Sequence, residues 1–167
     1  MDDCFIEDYC NYQSPIGLIR ICENSGFITK AFFVDQDTES EDYQSERIYN
    51  SSILLNDACR QLTEYFEGRR HKFELMLKPH GTDFQRSAWE TLLRIPYGET
   101  RSYLQQAESL RNPKAIRAIG KANSRNPIPI IIPCHRVIGK NGSLTGYAGG
   151  LDRKKKLLAL EHNFTHE

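Results

Sequence analysis

The run Pro133-Cys134-His135-Arg136-Val137 puts a thiol, an imidazole and a guanidinium on consecutive residues. A free thiol titrates at about 8.5, and basic neighbours lower that by one to several units. Cys134 is therefore a candidate nucleophile, and its base must lie within hydrogen-bond reach, with His135 adjacent in the chain. On these five residues alone, a buried structural cysteine in a Pro-flanked loop stays open as the alternative. The apolar stretch Ile128-Pro129-Ile130-Ile131-Ile132 just upstream predicts a buried strand that delivers the triplet.

The elements around this run divide the chain into two parts, 1–80 and 81–167. In the first, residues 16–22 and 27–34 flank Asn24-Ser25-Gly26, a turn sequence, and read as a β-hairpin. Residues 35–50 read as a polar, acidic surface loop. Leu54, Leu55, Ala58, Leu62 and Phe66 recur at helical spacing across Ile53 to Phe66, with Gly68 as a stop. Phe73, Leu75 and Leu77 alternate as a half-buried strand would. This part is a small antiparallel sheet with a helix, and the fold class is α+β.

The second part is mostly helical. Thr82 or Asp83 caps a helix with Phe84, Ala88, Trp89, Leu92 and Leu93 on its inner face. A short helix spans about Ser102 to Leu110. Asn112-Pro113 supplies an N-cap and first-turn proline for a third, running to Ala122. Ala115, Ile116, Ala118 and Ile119 are expected to face inward, and Lys114, Arg117 and Lys121 outward. Two short helices with a tight turn, the second basic, read as a helix-turn-helix. Gly139-Lys140-Asn141-Gly142 reads as a hairpin turn, giving a winged-helix-like unit closed by a last helix that opens at Asp152.

Charge supports a polyanionic partner for the second part. The net charge is zero, yet residues 1–80 hold 8 Lys+Arg against 15 Asp+Glu, and residues 81–167 hold 14 against 7. The start Met1-Asp2-Asp3-Cys4 lacks the basic and apolar regions of a secretory signal, and no apolar run is long enough to span a membrane. Five cysteines, Cys4, Cys10, Cys22, Cys59 and Cys134, form no CxxC pair. A disulfide framework is not expected, and the cytoplasm is the expected compartment, or the nucleus in a eukaryote. Cys4, Cys10, Cys22 and His71 or His80 show no zinc-ligand spacing, so neither a metal nor any other cofactor is expected.

The segment Asn126 to Ile138 closely resembles the active-site signature of the O6-alkylguanine-DNA alkyltransferases, the methylated-DNA–protein-cysteine methyltransferases. The resemblance extends through Pro96-Tyr97-Gly98-Glu99-Thr100-Arg101-Ser102-Tyr103, Asn112 to Gly120, Gly146-Tyr147-Ala148-Gly149-Gly150-Leu151 and Leu157 to Glu161. It covers most of residues 83–161; before that it is loose, mainly at Ser14-Pro15-Ile16-Gly17. It implies irreversible, single-turnover transfer of an alkyl group from O6 of guanine to the Cys134 thiolate, with O4-alkylthymine a poorer substrate. His135 would be the base, acting through a water, and Glu161 would fix its tautomer. Asn126 would brace the active-site backbone. The base must leave the duplex to be reached. By resemblance Arg117 replaces it in the stack, Tyr103 crowds the next phosphate and donates to guanine N3, and Lys154 assists, although Lys155 and Lys156 blur that register. The helix would enter the minor groove, with Lys114, Ala115, Lys121 and Arg125 also at the DNA. Cys134, Val137, Tyr147, Ala148 and Gly149 would line the guanine pocket. The implied partner is double-stranded DNA bearing the lesion, the free protein a monomer.

Two rival classes bear on the same residues. A thiol hydrolase or transferase would use Cys134 and His135, but its nucleophile would have to turn over and the basic helix would be left unexplained. A winged-helix transcription factor would explain the basic helix but leave the Cys134 site idle.

Overall fold

The sequence folds, in a computed structural model that describes residues 7–35, 47–49 and 52–166, into two units meeting in sequence at Pro79 and His80. In the first, β1 (Glu7–Ser14) and β2 (Gly17–Asn24) pair antiparallel, as do β2 and β3 (Phe27–Phe33). Ser25 and Gly26 both take positive φ, as a two-residue hairpin turn requires. Ser14 closes the turn before it by donating to the Gly17 carbonyl at 2.6 Å and accepting from the Ile16 amide at 3.2 Å. β4 (Arg47–Tyr49) adds to β1 in parallel, giving the order β3-β2-β1-β4, so the sheet is mixed rather than wholly antiparallel. Most of the expected loop 35–50 lies outside the described residues.

Helix α1 (Ile53–Phe66), capped by Ser52, packs Leu55, Ala58, Leu62 and Tyr65 against a sheet face that carries Ile19 and Ile21. The alternating segment 71–77 is not a strand. Its one bridge to the sheet is Leu77 to Ile28, and the Gln61 amide instead clamps residue 74, donating to the Glu74 carbonyl at 3.1 Å and accepting from its amide at 2.8 Å. A buried helix side chain thus takes hydrogen bonds that a ladder would have supplied.

In the second unit α2 (Asp83–Leu92) and α3 (Tyr103–Ser109) each begin with a complete capping box, Thr82 with Gln85 and Ser102 with Gln105. Ala88, Ala107 and Ala122 let α2, α3 and α4 (Ile116–Ser124) approach closely around Ile119. Trp89 ties α2 to α4 by donating to the Ala122 carbonyl at 2.9 Å. Gln106 and Asn123 exchange amide hydrogen bonds of 3.1 and 2.7 Å, locking α3 to α4 inside this core. Phe84 and Leu93, expected inside, are exposed: the small-residue core has room for one face of α2.

The helix α4 starts three residues later than Asn112-Pro113 suggested, with Ala115 at its N-cap and no side-chain cap. Residues 113–114 form a turn instead, and Ile116 and Ala118 point to solvent rather than inward. Strand β5 (Arg101–Ser102) pairs in parallel with β6 (Val137–Ile138), and α5 (Leu151–Thr165) closes the unit. The turn at residues 139–143 forms, Gly139 donating to the Ser143 carbonyl at 2.8 Å, but no returning strand follows it among the described residues. The expected hairpin is therefore a turn with no second strand among the described residues.

Candidate active site

Residues 128–132 are buried, as expected, but they do not form a strand. Pro127, Pro129 and Pro133 have no amide proton, so alternate positions cannot donate to a ladder. The backbone coils instead: the Ile132 amide donates to the Ile128 carbonyl at 2.9 Å and Ile130 sits at φ 73°. Asn126 holds the coil from within, donating from Nδ2 to the Ile132 carbonyl at 2.8 Å and accepting on Oδ1 from the Ile128 amide at 3.0 Å. A 3-10 turn, Cys134–Arg136, follows directly and presents the chemical triplet.

Glu161 on α5 organises that triplet. His135 Nε2 lies 2.7 Å from Glu161 Oε1, and Arg136 donates to both carboxylate oxygens, Nε to Oε2 at 2.9 Å and Nη2 to Oε1 at 3.0 Å. The Gly98 amide adds a bond to Oε2 at 3.1 Å, and Arg136 Nη1 donates to the Ile95 carbonyl at 2.7 Å. His135, Arg136 and Glu161 are all buried. Burial favours a neutral carboxyl, but the bonds and charges from His135 and Arg136 outweigh it and hold Glu161 well below the usual carboxylate range. Burial likewise favours neutral His135, and here it wins over the pull of Glu161, leaving its pKa lowered. With the carboxylate accepting the Nε2 proton, Nδ1 is the bare nitrogen. It is buried and has no protein hydrogen-bond partner among the described residues.

The thiol does not behave as its neighbours in sequence suggested. Burial pushes Cys134 up to about 11, against smaller opposing pulls from the Asn126 side chain and the Lys154 charge. The reason is local: Arg136 is committed to Glu161 and the Ile95 carbonyl, and His135 is neutral. The site at rest therefore holds a protonated sulfur, one residue before an imidazole whose Nδ1 is bare.

On the other side of the site, Lys154 is fully buried while Lys155 and Lys156 are exposed. Its Nζ donates to the Val137 carbonyl at 2.7 Å and the Thr145 carbonyl at 2.9 Å, and burial lowers its pKa. The Tyr103 hydroxyl donates to the same Thr145 carbonyl at 2.9 Å, and Lys154 Nζ lies 6.0 Å from the centre of the Tyr103 ring. Val137 and Tyr147 are buried, the Tyr147 hydroxyl without a hydrogen-bond partner among the described residues, while Ala148 is exposed and Gly149 half-buried.

Helix α4 offers a cationic outer surface. Arg117, Lys121 and Arg125 at its end are exposed, as is Lys114 in the preceding turn, and none of the four makes an ion pair among the described residues. Ala115 is half-buried against the helix core. Three groups escaped sequence reasoning as parts of the site. Arg136 read as a positive neighbour of the thiol, yet it is the anchor of Glu161. The Gly98 amide and the Thr145 carbonyl are backbone groups that carry no sequence signature of their own. No group of three or more metal-ligating side chains occurs among the described residues.

Two family models match the chain: the DNA-binding domain of 6-O-methylguanine DNA methyltransferase over residues 83–163, and the ribonuclease-like domain of the same proteins over residues 9–79. A methylated-DNA–protein-cysteine methyltransferase of Methanosarcina mazei is 57% identical across 90% of this chain and 94% of its own length. The crystal structure of Mycobacterium tuberculosis O6-methylguanine methyltransferase superposes with a TM-score of 0.85 at 42% identity, covering 94% of this chain and 93% of that one. The Mycobacterium tuberculosis OGT solved in complex with DNA gives a TM-score of 0.84 at 41% identity, with 94% of both chains covered. A buried imidazole–carboxylate pair next in the chain to a buried thiol, a basic helix whose outer cations make no ion pair among the described residues, and this similarity over nearly the whole chain leave one reading: the chain belongs to the methylated-DNA–protein-cysteine methyltransferase family.

Proposed function

We propose that this protein repairs O6-alkylguanine in double-stranded DNA by moving the alkyl group to its own Cys134, once per molecule. The observation that carries the reading is the fixed imidazole: His135 is held by Glu161 through Nε2 while Nδ1 is bare and buried next to the thiol in sequence. The Cys134 proton passes to Nδ1 through a water, and the imidazolium so formed is stabilised by the Glu161 carboxylate. The sulfur then attacks the alkyl carbon in line. The carbon–O6 bond breaks, its electron pair stays with the guanine, and N3 takes a proton from the Tyr103 hydroxyl.

Lys154 supports that last step. It shares an acceptor, the Thr145 carbonyl, with Tyr103, and its lowered pKa favours giving up a proton as negative charge develops on the phenol. The exposed cations of α4 suit a phosphate backbone, with Arg117 filling the stack when the base leaves through the minor groove. The rival hydrolase reading leaves those cations idle, and a sequence-reading transcription factor leaves the buried Cys134 site idle. A free thiol as the working group suits a reducing compartment such as the cytoplasm. The test is stoichiometry: excess duplex containing O6-methylguanine should add about 14 Da once per chain, on the Cys134 peptide. Continued turnover after one equivalent would refute the suicide reaction.

A further inference from the structure

The first unit contains a second sulfur site that alkyl transfer does not use. Cys10 Sγ on β1 and Cys59 Sγ on α1 are 3.4 Å apart, although 49 residues separate them. Their meeting is set by register. Cys10 and Tyr12 share a face of β1, and Cys59 and Thr63 share a face of α1 one turn apart. The Tyr12 hydroxyl meets Thr63 Oγ1 at 3.2 Å, just as the two sulfurs meet. Both cysteines are half-buried, so a small reagent can approach, whereas Cys134 and Cys22 are buried.

We infer that Cys10 and Cys59 form a covalent modification site for low-molecular-weight disulfides, closing reversibly to a cross-link between sheet and helix while Cys134 stays a free thiol. A disulfide requires about 2.05 Å between sulfurs, so the pair must close by roughly 1.4 Å, within reach of side-chain rotation. The hydrogen bond between the two sulfurs admits either as donor; with Cys10 donating, the Cys59 pKa is lowered and that of Cys10 raised, which makes Cys59 the attacking group, while burial raises that of Cys134. Cys59, as thiolate, attacks one sulfur of the reagent RSSR; the S–S bond breaks and RS⁻ leaves with the electron pair and takes the Cys10 proton. Cys10 Sγ then attacks the Cys59 sulfur of the mixed disulfide and expels a second RS⁻, which takes from solvent the proton that Cys59 released. The two protein thiols lose two electrons, and RSSR gains them as two RSH.

The experiment exposes the full chain to glutathione disulfide and glutathione at a series of ratios, followed by intact mass, peptide mapping and thermal melting. Expected are a loss of about 2 Da, one cross-linked peptide pair joining Cys10 to Cys59, Cys134 recovered as a free thiol, and a rise in Tm on the order of 10 °C that dithiothreitol reverses. Cys10→Ser should instead stop at a mixed disulfide on Cys59. A stable mixed disulfide on Cys59 in the unaltered chain, a cross-link of Cys10 to any other cysteine, or oxidation of Cys134 before Cys59 would each overturn the inference. The mapping of the unaltered chain decides the matter even where Cys10→Ser does not fold.

Discussion

Glu161→Gln is the substitution that most directly tests how the site is held. Each oxygen of the carboxylate accepts from two donors: Oε1 from His135 Nε2 and Arg136 Nη2, Oε2 from Arg136 Nε and the Gly98 amide. A glutamine offers one oxygen and one NH2 group, so in either orientation a donor faces two donors. It also leaves the Arg136 guanidinium, whose side chain is 7% exposed, without a counter-charge. Removing one partner of a buried pair costs about 3–5 kcal/mol, a large share of the 5–15 kcal/mol by which domains are stable. Arg136→Met alone should cost a similar amount by stranding the carboxylate. The double substitution removes both charges and should be more stable than the sum of the single effects by at least about 2 kcal/mol. Urea unfolding followed by fluorescence measures this in the right unit, because the sole tryptophan, Trp89, is buried there. A Glu161→Gln midpoint within experimental error of the parent, or strictly additive single effects, would refute the anchoring role of Arg136.

Stability should also fall in acid. His135 is held below its ordinary value in the folded chain, so its contribution is present above about 6.5 and is lost as pH drops through the folded pKa; Glu161, also lowered, adds a further loss below about 4.5. His135→Gln should shrink the first of these phases, and an unchanged pH–Tm curve in that variant would assign it elsewhere. Cys134 is raised, so its contribution is present below about 9 and fades toward 11, and ultraviolet absorbance of the thiolate should place its inflection near 11 in the parent protein. A thiolate already present at neutral pH would show that burial is not the dominant influence. Lys154→Met should slow transfer from duplex substrate and flatten its dependence on pH, while Lys155→Met leaves the rate within about twofold; equal effects would detach Lys154 from the proton donor. Arg117→Ala should weaken repair of duplex DNA far more than reaction with free O6-benzylguanine, and equal harm to both would mean that Arg117 supports the fold.

What could be read from the chain follows a physical line. Helix α1 was legible residue for residue because its apolar spacing and Gly68 agree, and Gly68 does take the left-handed φ of 72°. The capping boxes at Thr82 and Ser102 likewise write helix starts into local sequence. Elements decided by a distant partner were not legible. The apolar run at residues 128–132 looks like a strand until its prolines are counted as missing donors, and segment 71–77 alternates like a strand but is claimed by Gln61.

The same distinction explains the site. Residue types announced Cys134 and His135, and only the family resemblance supplied Glu161; the ionisation state of the thiol depends on where Arg136 spends its hydrogen bonds, which is a property of the fold. Adjacent in sequence, Arg136 would help to ionise the cysteine; turned by the 3-10 geometry, it serves Glu161 instead. That arrangement has a chemical logic. A thiolate maintained by a permanent positive field would be open to any electrophile, at the reduced intrinsic nucleophilicity that accompanies a low pKa. On the proposed mechanism, a buried thiol with a high pKa, next in the chain to a neutral imidazole already oriented by a carboxylate, stays protonated until proton transfer accompanies attack. The sulfur is then at its most nucleophilic only when a substrate carbon is in place, which is the behaviour a reagent consumed after one reaction requires.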